Sequence, residues 1–123
     1  MMIGSVNASR EAIVRIAVKG PAGRSRTVDT VLDTGFNGDL SLEPRAIAAL
    51  GLVDHGTEFA ELADRIRVEV RRFHGRVLWQ GVERNVIVLE MDGAALLGMS
   101  LFENTHLGID VVAGGHVTIL PLP

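Results

Sequence analysis

Apolar and polar residues alternate with a period of two along much of the chain, a pattern typical of β-strands with one buried face. The first clear case spans 12–19, where valine and isoleucine alternate with more polar residues. A turn at Pro21-Ala22-Gly23 separates it from a second apolar run at 25–33. These two runs are therefore predicted to pair as a hairpin.

The same pattern continues through the middle and the end of the chain. Short turn sequences separate the runs, so we expect hairpins in an antiparallel barrel or sandwich and not β-α-β units. The further predicted strands are 40–42, 59–62, 65–73, 76–79, 85–89, 107–112 and 116–120. The predicted turns between them include Ala63-Asp64, His74-Gly75, Gln80-Gly81 and Gly114-Gly115.

Helical signals are few and short. Pro44 suits the first position of a helix, 46–50 contains good helix formers, and Gly51 suits a C-terminal cap. A further turn of helix is predicted within 99–104. The predicted fold class is therefore all-β, with one or two short helices.

Length, composition and charge limit the function. The 123 residues suffice for one domain, with 1–10 as a candidate flexible N-terminal segment. There are no cysteines, which excludes disulfides and thiolate metal sites. A net charge of −3 gives no case for binding nucleic acid or an anionic membrane. Without a recognisable secretory signal or membrane-length apolar run, we expect a cytoplasmic protein.

Several familiar functional motifs fail on a single residue. The stretch 93–100 resembles a phosphate-binding loop, but Met99 stands where the lysine is needed. The stretch 98–102 fails as a nucleophile elbow because Phe102 replaces its second glycine. The four histidines lack the spacing of metal ligands, so neither a metal nor a cofactor is expected.

One carboxylate remains as the candidate for chemistry. An apolar run ending at Leu32 leads to Asp33, and a glycine-flanked loop follows at once. Leaving a charge partly buried without a partner is costly, so packing alone does not explain this arrangement. Other acids, namely Asp29, Asp39 and Asp110, are not expected to be catalytic.

Leu32-Asp33-Thr34-Gly35 after a strand, together with Leu96-Leu97-Gly98 near the C-terminal end, resembles the retropepsin-like aspartic proteases. The likeness is greatest to their small bacterial and archaeal members and covers about 13–120. It implies a closed acid-protease barrel that acts as a homodimer on a peptide or protein substrate.

The resemblance also implies a role for each residue of these motifs. Two carboxylates about 3 Å apart cannot both ionise, so they share a proton and act as base and acid on a water molecule. The chain has a single Asp-Thr-Gly, so Asp33 must come from each of two subunits. Thr34 would point its hydroxyl inward to lock the loop or bond across the dimer axis, and Gly35 would offer its N–H. Leu96, Leu97 and Gly98 would support the loop from beneath.

A mobile flap over the substrate is the other part that the resemblance implies. The predicted hairpin 59–70 is the candidate, with its tip at Leu62, Ala63, Asp64 and Arg65. Bacterial relatives often carry Ala-Asp-Gly at this tip, and here Arg65 replaces the glycine. This departure favours a first alternative, a peptide-binding module without catalysis. In a second alternative, a structural or toxin-like barrel, Asp33-Thr34-Gly35 is only a turn.

Overall fold

The structure is a computed structural model that describes residues 1–61 and 64–123, and the alternating segments form strands in it. Within those residues the elements in chain order are β1 (Met2–Val6), β2 (Ala12–Lys19), β3 (Ser25–Leu32), β4 (Leu40–Leu42), α1 (Pro44–Leu50), β5 (Val53–Glu61), β6 (Arg67–Trp79), β7 (Val82–Glu90), β8 (Ala95–Leu97), α2 (Met99–Phe102), β9 (Thr105–Ile109) and β10 (His116–Pro121). The prediction of a mainly β chain with short helices is confirmed.

In the described part of the chain, six strands close a barrel in the order β2-β6-β7-β4-β8-β3. The barrel closes where β2 pairs with β6, at Val18↔Val77 and Lys19↔Arg76. Closure leaves these strands without a free edge, so their backbone groups are paired on both sides. The predicted barrel is confirmed, and its fully buried core includes Val14, Val18, Leu40, Val77, Val88 and Leu97.

The N-terminal segment is part of the sheet, which corrects the expectation that 1–10 is flexible. β1 pairs with β10 on one side and with β2 on the other, and Val6 is buried. Its partner β10 lies near the opposite end of the chain, and β2 follows it directly. Its own sequence, Met-Ile-Gly-Ser-Val, is too short to show a periodic pattern.

The predicted break at His74-Gly75 is wrong. β6 runs through it without interruption, paired with β7 from Arg72↔Leu89 to Trp79↔Val82. Gly75 lies inside the strand, where it pairs with Val86, and it does not have the positive φ of the turn glycine Gly81.

Two further predictions about the middle hairpins have clear outcomes. The turn at Gln80-Gly81 is confirmed: both residues have positive φ, 51° and 79°, as a two-residue type I′ turn requires. β5 begins at Val53, earlier than the strand predicted from Phe59. The hairpin of β5 and β6 is therefore longer than its sequence pattern suggested.

Among residues 1–61 and 64–123, two strand pairs are parallel, which corrects the purely antiparallel prediction. β3 pairs in parallel with β8, from Thr30↔Ala95 to Leu32↔Leu97. β4 pairs in parallel with β7. Parallel partners are joined by long connections, so turn signals between neighbouring strands cannot reveal them. The β3–β8 pair brings the end of β3 beside Gly98.

Both short helices agree with their predictions. α1 starts at Pro44 and ends at Gly51, which has the left-handed φ of 62° that a glycine cap adopts freely. Its buried residues, Ala46, Ile47 and Leu50, close one end of the core. α2 is a single turn. Neither these helices nor any other in 1–61 and 64–123 has the length and apolar character to cross a bilayer.

Candidate active site around Asp33

Asp33 forms hydrogen bonds with Leu97 of the neighbouring strand β8 and with Gly35 and Phe36, which follow it in the chain. Its amide donates to the carbonyl oxygen of Leu97 at 2.9 Å, continuing the parallel pairing of β3 and β8. Its Oδ1 accepts the N–H of Gly35 at 2.8 Å, and its carbonyl oxygen accepts the N–H of Phe36. These contacts fix the backbone and one carboxylate oxygen, while the side chain stays half-buried.

The loop 33–39, which we call the active loop, is tied to the start of α2. Met99 donates its N–H to the carbonyl oxygen of Phe36 at 2.8 Å. Gly98 donates its N–H to the carbonyl oxygen of Asp39 at 2.9 Å. The first amides of a helix lack partners inside the helix, so the carbonyls of the active loop satisfy them.

Gly98 is required where α2 meets the active loop. A Cβ atom on this residue would lie 2.1 Å from the carbonyl oxygen of Gly38 and 2.8 Å from the Phe36 ring. The backbone of Gly98 is extended, so the requirement is space and not an unusual φ. Leu97 beside it is fully buried, and Leu96 is half-buried with its side toward Asp33. All three predicted support residues therefore lie against the active loop.

Asp39 has a structural task. Its Oδ2 accepts the N–H of Ile87 at 2.9 Å and so joins the active loop to β7.

An open cleft of about 560 Å³ lies above Asp33. The end of β5, at Ala60 and Glu61, lines one part of it. Its other lining residues are Gly35, Phe36, Asn37, Met91 and Leu96. Glu61 lies in the predicted flap hairpin 59–70 but was not among its predicted tip residues, and Met91 comes from a segment that carries no motif.

A second depression, of about 320 Å³, borders Asp33 on another side. Its lining includes Thr34 and two apolar side chains, Ile109 and Val111, of which 38% and 63% are exposed. Thr34 is itself exposed. The predicted inward-pointing Thr34 hydroxyl is therefore not seen within one chain, and this residue faces the surface instead.

The predicted flap is the hairpin of β5 and β6. Near its end Phe59 lies opposite Glu69, and the guanidinium of Arg67 stacks over the Phe59 ring at 4.8 Å. Of the four predicted tip residues, Leu62 and Ala63 lie outside the described residues. The other two form a turn, in which Asp64 Oδ1 accepts the N–H of Ile66 and Arg65 has a φ of 65°.

Because Arg65 has a left-handed φ, we predict how a glycine at this position changes the free energy of unfolding. Non-glycine residues lose about 1–2 kcal/mol in this conformation, and glycine loses about 0.5–1 kcal/mol of chain entropy on folding. Arg65→Gly should therefore change the free energy of unfolding by between about 0 and +1.5 kcal/mol. The matched variant Arg67→Gly, inside β6, should lower it by about 1 kcal/mol. Urea unfolding of both variants checks this, and equal losses would contradict it.

An ion pair stabilises the base of the hairpin. Asp54 accepts the N–H of Gly56 at 2.9 Å and a guanidinium N–H of Arg71 at 2.6 Å. The Gly56 N–H first, and the Arg71 guanidinium second, hold the pKa of Asp54 below its ordinary value. The carboxylate therefore stays ionised in the folded hairpin to a lower pH than an ordinary aspartate does.

Comparison with known proteins gives no family for the chain. No family model matches the sequence, and no curated protein matches it significantly. Among the residues that the structure describes, no group of three or more histidine or acidic side chains is arranged to hold a metal ion. The geometry around Asp33 therefore carries the functional proposal.

Proposed function

We propose that the protein is a homodimeric aspartic endopeptidase of retropepsin-like fold, in which Asp33 of each subunit forms half of the catalytic pair. The observation that supports this most is the setting of Asp33. It lies on a hydrogen-bonded loop and lines a cleft together with the end of β5, one strand of a long β-hairpin. The proposal places the enzyme in the cytoplasm, acting on peptides or proteins without a cofactor.

The proposed chemistry needs only the two carboxyl groups and water. The ionised carboxylate takes a proton from a water molecule, whose oxygen attacks the carbonyl carbon of the peptide bond. The protonated carboxyl gives its proton to the carbonyl oxygen, which forms a tetrahedral diol. The carbon–nitrogen bond then breaks as a proton passes to the leaving amine. The Gly35 N–H, already bonded to Asp33 Oδ1, would keep the carboxylate oriented throughout.

The surface beside Asp33 supports assembly into a dimer. The depression that holds Thr34 also contains the exposed side chains of Ile109 and Val111. Burying such apolar side chains against a second copy would remove them from water, which favours association. A two-fold axis there would bring both Asp33 residues together and let Thr34 contact its counterpart.

Mixing subunits tests the shared pair. Wild-type protein is mixed with an equal amount of the Asp33→Asn variant, and peptidase activity is measured after the subunits exchange. If both carboxylates are needed, mixed dimers are inactive and one dimer in four is fully wild-type. The activity of the added wild-type protein should then fall to about half.

Two outcomes would contradict the shared pair. One is unchanged activity on mixing, once exchange has been shown with subunits of different mass. The other is sedimentation as a strict monomer at micromolar concentration under the conditions in which peptide is cleaved.

A peptide-binding module without catalysis is the second candidate function. It is favoured by the turn at Asp64-Arg65, where Arg65 has a backbone φ that glycine adopts more easily. A stiffer turn would slow the opening and closing that turnover requires. Binding of a peptide library without any cleavage would support this candidate over the enzyme.

A further inference from the structure

We infer that Glu61 gives the Asp33 cleft a preference for peptides with a lysine or arginine side chain near the bond that is cut. This inference rests on the proposed function. Glu61 is the last residue of β5 and lines the cleft together with Asp33. Among the described lining residues, these two carboxylates are the only charged groups.

Within the described part of its hairpin, Glu61 has no cationic partner in an ion pair. Its partner across the hairpin is Arg67, which would be the natural cation to neutralise it. The Arg67 guanidinium lies instead over the ring of Phe59. In the described part of the chain, Glu61 takes part in none of the ion pairs.

Glu58 and Asp39, two acidic residues that line a neighbouring depression, both have partners. Glu58 lies 3.7 Å from the guanidinium of Arg72. Asp39 accepts the backbone N–H of Ile87. Glu61 therefore differs from both in keeping a negative charge that a ligand can reach.

When a substrate occupies the cleft, its electrostatic interaction with Glu61 should become stronger. Closure of the hairpin over a peptide would remove water and lower the local dielectric constant around Glu61. A lysine or arginine side chain would then gain an ion pair, whereas an acidic side chain would be repelled by Glu61 and Asp33 together. In a two-fold dimer each subunit supplies one such cleft, so basic residues on both sides of the cut bond should act together.

A decapeptide library with lysine, norleucine or glutamate at one position at a time tests the inference. For the wild-type protein we expect kcat/KM to be about fivefold higher with lysine than with norleucine at one or more positions, as for an exposed ion pair. Glutamate should be the poorest residue there, and the preference should shrink at high salt. In Glu61→Gln the ratio of lysine to norleucine should fall to about one, and in Glu61→Lys the order should reverse toward glutamate.

Glu69→Gln is the matched control, because Glu69 is an exposed acid on the same hairpin that does not line the cleft. It should keep the wild-type ratio. Equal rates with lysine and norleucine in the wild-type protein, or an unchanged ratio in Glu61→Gln, would overturn the inference while leaving the peptidase in place.

A binding measurement separates this inference from the proposed function. The same peptides, fluorescently labelled, are titrated into the Asp33→Asn protein and followed by anisotropy. Tighter binding of lysine peptides would support the inference even if the wild-type protein cuts none of them. Binding without any preference, or no binding at all, would overturn it.

Discussion

Replacing Asp33 with asparagine is expected to lower kcat/KM for peptide cleavage by about a hundredfold to ten-thousandfold, with the fold and the dimer retained. Asparagine keeps an oxygen that can accept the Gly35 N–H, so the contact at 2.8 Å survives. What disappears is the ionisable group, and acid–base groups of this kind contribute about 10²–10⁴ in rate. Activity, sedimentation and thermal unfolding of the variant are the measurements.

Asp29→Asn serves as the control for this experiment. Asp29 is an exposed carboxylate on β3, bonded to Arg15 at 2.8 Å, and it does not line the Asp33 cleft. Its loss removes the same charge from β3, the strand that leads to Asp33, and activity should stay at the wild-type level. Undiminished cleavage by Asp33→Asn would end the assignment and leave Asp33-Thr34-Gly35 as a turn.

Gly98→Ala is expected to lower the free energy of unfolding by about 3 kcal/mol or more and to remove activity. The added Cβ would lie 2.1 Å from the carbonyl oxygen of Gly38, which is backbone and cannot rotate away. Overpacking of this kind costs about 1–3 kcal/mol, and more where the backbone must move. The displaced segment would be the active loop itself, since Gly98 also donates its N–H to Asp39.

The matched variant is Gly75→Ala. Gly75 is also a buried glycine, and it lies within β6. A Cβ there would meet Val88 and Leu52 at 3.4–3.8 Å, which is ordinary contact. We expect the free energy of unfolding to change by less than about 1 kcal/mol. The lower chain entropy of alanine in the unfolded state offsets part of any loss from the added contact. Urea unfolding measures both variants, and similar losses for the two would show that the tight contact at Gly98 is unimportant.

Local sequence was a good guide where the determining contacts are local. The turn at Gln80-Gly81 depends on the φ angles of its own two residues, and α1 depends on Pro44 and Gly51 at its ends. Both were predicted correctly for that reason. The break predicted at His74-Gly75 failed because a glycine can stand in a turn or in an extended strand, and the pairing of Gly75 with Val86 in β7 decides which.

The site follows the same division. The sequence by itself determined a chain of alternating strands, an apolar run that delivers Asp33 into a glycine-flanked loop, and a later Leu96-Leu97-Gly98. The tertiary structure alone decided that Leu97 accepts the Asp33 amide and that Gly98 packs against Gly38. It also placed Glu61 over the cleft. The physical reason is that these contacts join residues far apart in the chain, through parallel pairing and barrel closure. A period of two in the sequence records which face of a strand is buried, and it carries no information about which strand lies beside it.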